Sequence, residues 1–150
     1  MIHANAETMS TYGHIIRKQI DDVFPAWVLN NFSVDIIELT AGEAHYELAY
    51  NPDLYRKVPA PNVAEILSGQ AVMALADSLL VFPVLAQVGQ TKEMVTLNSN
   101  TEFLRPIKAG KVSIKAKVIK AGSKVVRGQV EVFDTDNKLC ALTIICYIFI

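Results

Sequence analysis

Apolar residues fall on every second position in several stretches of this chain and crowd together in one. Ala44, Tyr46, Leu48 and Tyr50 alternate with Glu43, His45 and Glu47, the period of a half-buried strand. A strand over about Ser33 to Thr40 precedes it, and Ala41-Gly42 between them predicts a hairpin turn. Val112, Ile114, Ala116 and Val118 alternate with lysines and Ser113, and Val126, Val130 and Val132 with Arg127, Gln129 and Glu131. "MVTLNSNTEFL", closed by Arg105-Pro106, and "LCALTIICYIFI" read as two more strands. The second is apolar on both faces, which predicts that both are covered.

Two segments follow the helical period. Ile16, Ile20, Val23 and Trp27 suit a short amphipathic helix from Tyr12 to Val23, broken or re-aimed by Pro25. A long helix is expected from about Val63 or Ser68 to about Leu85, apolar nearly all round, which requires a sheet wrapped about it. Residues 1–10 read as loose. "NPDLYRKVPAPN", punctuated by Pro52, Pro59 and Pro61, reads as a loop. The order is helix, hairpin, long buried helix, then a four-strand antiparallel meander. That is one α+β domain over residues 1–150, with residues 1–22 a partly helical N-terminal extension. The polar strand "TLNSNTE" suggests a sheet edge that meets something polar or another subunit.

Composition narrows the function. The net charge of −1 gives no reason to expect nucleic acid or an anionic membrane. The first ten residues lack a signal-peptide layout. Ile66 to Ala86 is long enough to span a bilayer, but Ser68, Gln70, Asp77 and Pro83 favour a buried helix instead. Cys140 and Cys146 on one strand would stand roughly 20 Å apart, too far for a disulfide. Two reduced thiols fit a cytoplasmic protein. No metal is expected. "DTDN" begins like a calcium loop, but Leu139 and Ile145 occupy the positions that need Gly and Glu, and the three histidines have no ligand spacing. From Lys108 to Arg127 the chain is basic without an acid. That is a solvated sheet face or, on a sharper reading, a landing site for a polyanion such as coenzyme A.

The candidate chemistry lies on the long helix. Asp77 has Met73, Ala74, Leu80 and Val81 as its helical neighbours, all apolar. It is either a structural carboxylate with a hidden partner or one held for acid–base or nucleophilic work. At the helix start, Ser68-Gly69-Gln70 offers unpaired N–H groups and the positive dipole end, a place for an oxyanion. Nine residues separate Ser68 from Asp77, about two and a half turns and roughly 13 Å of rise. One helix cannot bring both to one carbonyl. Two helices, and hence a homodimer with interfacial sites, would be needed.

These features resemble the hotdog fold, and within it the phenylacetyl-CoA thioesterase-like branch of acyl-CoA thioesterases. "ALAD" at Ala74–Asp77 and "NTEFLRP" at Asn100–Pro106 are similar to that branch's motifs, over about Phe24 to the end. Where the branch carries His-Gly-Gly, this chain has Ser68, Gly69 and Gln70. The resemblance implies an acyl-CoA thioesterase with no cofactor. Asp77 would be general base or nucleophile, the Gly69 N–H the oxyanion donor, and Asn62 and Thr96 would place the water. Ser68, Gln70, Arg105 and Lys108 are expected to touch the substrate. The implied assembly is a homodimer, possibly a dimer of dimers. A non-catalytic acyl-CoA or lipid-binding protein is the alternative. A hotdog dehydratase would need a site histidine, and none lies beyond His45.

Overall fold

The computed structural model describes residues 1–61 and 63–150. Residues 1–10 are not loose. Ile2–Ala4 form β1, parallel to Val34–Ile36, and the Asn5 side chain accepts from the Thr8 N–H at 2.8 Å to cap α1 (Ala6–Lys18). A three-residue strand is too short to announce itself by alternation. After α1 the backbone widens into a π turn over Gln19–Val23, closed by Phe24 N–H on Gln19 C=O at 2.8 Å. Pro25 then re-aims the chain, as expected, into α2 (Ala26–Asn31).

β2 (Val34–Thr40) and β3 (Glu43–Leu48) form the expected hairpin, with Gly42 in the left-handed region. The proline-punctuated stretch is not a plain loop. After a single 3-10 turn, β4 (Tyr55–Ala60) pairs with β5 (Val63–Leu67) as a separate two-stranded ribbon. The ladder slips between Lys57 and Ala60, where Pro59 has no N–H to give. The long helix therefore starts at the later of its two expected positions.

α3 (Gly69–Leu79) and α4 (Val81–Val88) make one rod, broken at Leu80 and ended by left-handed Gly89. Pro83 explains the break. It lacks the N–H that Leu79 C=O would accept, and the buried Tyr46 hydroxyl donates to that carbonyl instead, at 2.7 Å. The rod is apolar and long enough to cross a membrane by composition, but its apolar side chains are spent on the sheet. Leu75, Leu79, Leu80, Phe82 and Leu85 are fully buried against Tyr46, Ile114 and Ile145.

The remaining strands are β6 (Met94–Phe103), β7 (Val112–Ala121), β8 (Val125–Phe133) and β9 (Leu139–Phe149). The sheet order is β1-β2-β3-β7-β8-β9-β6. Only β7, β8 and β9 form a meander. β6 crosses over to pair with β9, which corrects the expected four-strand meander. The reason lies in composition. β9 is apolar on both faces and takes an interior place, while polar β6 takes the edge and is exposed along nearly all its length. The fold is the hotdog arrangement of an α+β protein, a mostly antiparallel sheet around one central helix. Gly128 on β8 is the point of closest approach. A Cβ there would come within 2.6 Å of Leu80 Cδ1 and 2.8 Å of Lys117 O.

Candidate active site

One face of α3 is left partly uncovered by the sheet. Gln70 and Met73 are exposed and Ala74, Asp77 and Ser78 half-buried, at the three- and four-residue spacing of one helical stripe. Edge strand β6 runs beside this stripe. Asp77 is therefore not sunk among the apolar neighbours that its helix suggests. Its carboxylate turns to β6, where the Thr96 hydroxyl donates to Asp77 Oδ1 at 2.7 Å. The main chain of Asp77 is held separately, its C=O accepting from the Tyr147 hydroxyl on β9. Burial, and behind it the charge of Asp77, pushes the Tyr147 phenol well above its ordinary range, so it stays a donor.

Asp77, Thr96 and Tyr147 border a cleft of about 320 Å³. Phe24, Trp27 and Val28 from the π turn and α2 form one wall, Val81 and Met94 another. The stretch from the π turn through α2, most of it beyond the expected extension over residues 1–22, thus builds part of this site, which the alternation pattern of the sheet did not foretell.

The other end of α3 lines a separate cleft. Ser68 is the N-cap, with its Oγ accepting from the Ala71 N–H at 3.2 Å, and its own N–H donates to Leu54 C=O at 2.9 Å. Of the first four N–H groups, those of Gly69 and Gln70 are left without an acceptor among the described residues. Gly69 faces a cleft with Arg56, Phe103 and Arg105, and a Cβ on it would meet Phe103 Cζ at 3.3 Å. The Arg105 guanidinium donates to Leu139 C=O at 2.9 Å. Lys108 is exposed beside a bridge to Ile66. Asn62 lies outside the described residues. The structure thus unites Asp77 with Thr96, and Gly69 with Arg105, and keeps the two pairs in different clefts.

Of the basic run, Lys115, Lys117 and Lys120 lie on β7; Lys111, just before it, meets Glu47 at 3.0 Å and Lys117 meets Glu43 at 3.8 Å. This is the solvated-face pattern, with acids interleaved. Arg56, Tyr147 and Gln19 went unnoticed in the sequence. Tyr147 alone carried a signal, a phenol in a strand buried on both faces, which needs a partner.

A family model described as the thioesterase superfamily matches residues 64–141. Among curated proteins, one from Thermoplasma acidophilum, named "Putative esterase Ta0293", is 27% identical over 113 residues, 75% of this chain and 80% of its own length. A Saccharolobus solfataricus protein, "Putative esterase SSO2140", is 28% identical over 129 residues, covering 85% and 87%. Among solved structures, the E. coli PaaI protein from the phenylacetic acid degradation operon superposes with a TM-score of 0.74 at 19% identity, covering 95% of each chain. The thioesterase HI1161 of Haemophilus influenzae gives 0.68 at 21%, covering 82% of each. At those identities the structural likeness carries the fold.

Proposed function

The chain belongs to the thioesterase superfamily, and on that premise we propose that it hydrolyses an acyl-coenzyme A at a site shared by two copies of itself. The observation that carries this reading is the Thr96–Asp77 hydrogen bond at the foot of a cleft that the start of the helix does not border. The free Gly69 N–H lies at the other end. A second copy turned about a two-fold axis supplies the missing end.

Two features support that assembly. β6 is a long edge strand with Val95, Leu97 and Phe103 exposed, and α3 beside it keeps an uncovered stripe that includes Met73. Such an edge left open is a liability that pairing removes. In the shared site, water attacks the thioester carbonyl carbon and gives its proton to Asp77. Alternatively, Asp77 attacks first and water hydrolyses the resulting anhydride. The oxyanion rests on the partner's Gly69 N–H, the C–S bond breaks, and the thiolate leaves with a proton. Thr96 holds the carboxylate, and Asn62 assists in placing the water. Gln70 and Ser68 border the entrance. Arg105, with Arg56 and Lys108, meets the phosphates of coenzyme A. This reaction needs no cofactor, and two unpaired thiols suit the cytoplasm.

Release of free coenzyme A from a panel of acyl thioesters tests the proposal, with Asp77→Asn and Asp77→Ala beside wild type. The variants are expected to lose about 100-fold or more. Turnover unchanged in Asp77→Ala overturns it. One observation favours a non-catalytic acyl-CoA-binding protein instead. The Ser68 Oγ is engaged as a helix cap where the resembling branch has a histidine. Calorimetric binding of acyl-CoA without hydrolysis would select that reading.

A further inference from the structure

The rod is interrupted beside the Asp77 carboxylate. α3 ends at Leu79 and α4 starts at Val81, so the ladder of helical bonds lapses over the carbonyls of Asp77, Ser78 and Leu79. The last regular bond before the gap runs from Leu80 N–H to Ala76 C=O at 3.3 Å. The first after it runs from Val84 N–H to Leu80 C=O, also at 3.3 Å. Two strands of the sheet supply donors in between. The Tyr46 hydroxyl on β3 donates to Leu79 C=O at 2.7 Å, and the Tyr147 hydroxyl on β9 donates to Asp77 C=O. Both phenols are buried, so the segment that carries the carboxylate hangs from the sheet rather than from its own helix.

The register of the sheet aims this grip at Asp77. Tyr147 lies directly opposite Thr96 in the β6–β9 ladder, so the two hydroxyls leave one face of the sheet side by side. One takes the main-chain oxygen of Asp77 and the other its carboxylate. The ladder slips just after Thr96, with Leu97 as the extra residue, and resumes at Asn98 opposite Cys146. We propose that Tyr147 is a positioning residue: by fixing the main chain of Asp77 it sets where the carboxylate stands against Thr96 and the substrate carbonyl. This rests on the thioesterase reading above. The phenol acts through the peptide of Asp77, on which its hydroxyl is spent. A carbonyl that loses its donor inside a broken helix turns to find another, and the turn carries the Cα and Cβ of its residue with it. A displacement of about 1 Å at a reacting group costs on the order of 10²-fold in rate.

Tyr147→Phe keeps the ring and deletes the hydroxyl. With an acyl-CoA that wild type hydrolyses, kcat is expected to fall about tenfold to a hundredfold while KM stays within about twofold. Tyr46→Phe is the control for damage to the helix alone. It strips Leu79 C=O of its donor in the same way, and should lower Tm with kcat held within about threefold. The loss should also depend on Thr96. In a Thr96→Val background, Tyr147→Phe is expected to cost no more than about threefold further, because a carboxylate already released has little orientation left to lose. Wild-type kcat in Tyr147→Phe, a loss confined to KM, an equal kcat loss in Tyr46→Phe, or losses that multiply in the double variant would each overturn the proposal. If wild type hydrolyses no ester, the thioesterase reading fails by itself. Crystal structures of wild type and Tyr147→Phe then decide the positioning role. The 2.7 Å contact from Thr96 to Asp77 Oδ1 opened beyond about 3.5 Å in the variant supports it, and an unchanged contact overturns it.

Discussion

The hydroxyl of Tyr147 on β9 donates to the main-chain carbonyl of Asp77, while that residue's carboxylate accepts from Thr96 on β6. One residue is thus gripped twice, at its backbone by an interior strand and at its side chain by the edge strand. The first grip sets where the helix lies and the second sets where the carboxylate points. The two are separable by substitution.

Thr96→Val removes the partner of Asp77 Oδ1 and keeps the side-chain shape. Turnover of a hydrolysed acyl-CoA should fall about tenfold to a hundredfold, the range of one hydrogen bond to a charged group, with KM little changed. Thr96→Ser should restore most of it. Steady-state kinetics on the three proteins read this directly, and equal rates would show that Thr96 does not position the carboxylate.

Gly69→Pro deletes the proposed oxyanion donor with little harm to the helix. Position 69 is the first of α3, where proline is well accepted, and Ser68 already has the extended backbone (φ −65°, ψ 146°) that a following proline requires. The kcat should drop by about 10² to 10³ with a nearly unchanged melting temperature.

The shared site predicts rescue between two dead variants. In a mixed dimer of Gly69→Pro with Asp77→Asn, one site keeps both native groups and the other keeps neither. Random reassociation of equal amounts should recover about a quarter of wild-type activity, because half the dimers are mixed and each carries one of two sites. Activity that stays at the level of the separate variants would place the whole site in one chain.

Burial raises the phenols of Tyr46 and Tyr147 well above their ordinary range. Above about pH 10 the unfolded chain releases these protons and the folded one does not. The unfolded state then binds fewer protons, so stability falls as pH rises, by up to about 1.4 kcal/mol per pH unit for each phenol. Denaturant titrations between pH 9 and pH 12 (buffer values chosen about that reference pKa) should show a shallower decline in Tyr147→Phe. At neutral pH, Tyr46→Phe strips Leu79 C=O of its donor and should cost about 1–3 kcal/mol.

Six strands were legible, three of them by clear alternation, as were the hairpin turn and the cap-to-core path of the central helix. So was the meeting of Asp77 with Thr96, because the branch that "ALAD" resembles carries a Ser or Thr some eighteen residues after its Asp, on the next strand. Pairing was less legible, because periodicity reports which face of a strand is wet and not which neighbour it has. β6 beside β9, rather than β7, followed only from weighing polar "TLNSNTE" against apolar "LCALTIICYIFI". Short elements such as β1 and the β4–β5 ribbon offer too few residues for a period. Gln19 escaped notice because a polar residue within an amphipathic helix ordinarily faces water.

Gly128 has no side chain and lines neither of the two clefts, yet it fixes the gap between strand and rod. Alanine there would press on Leu80 Cδ1 from 2.6 Å and on the Lys117 carbonyl, and the leucine is the softer obstacle. The rod would be levered away from β8, and Asp77, three residues earlier, would travel with it while Thr96 stayed on its strand. A single methyl group on the far side of the core would thus act as a shim, opening the proposed catalytic pair without altering either member.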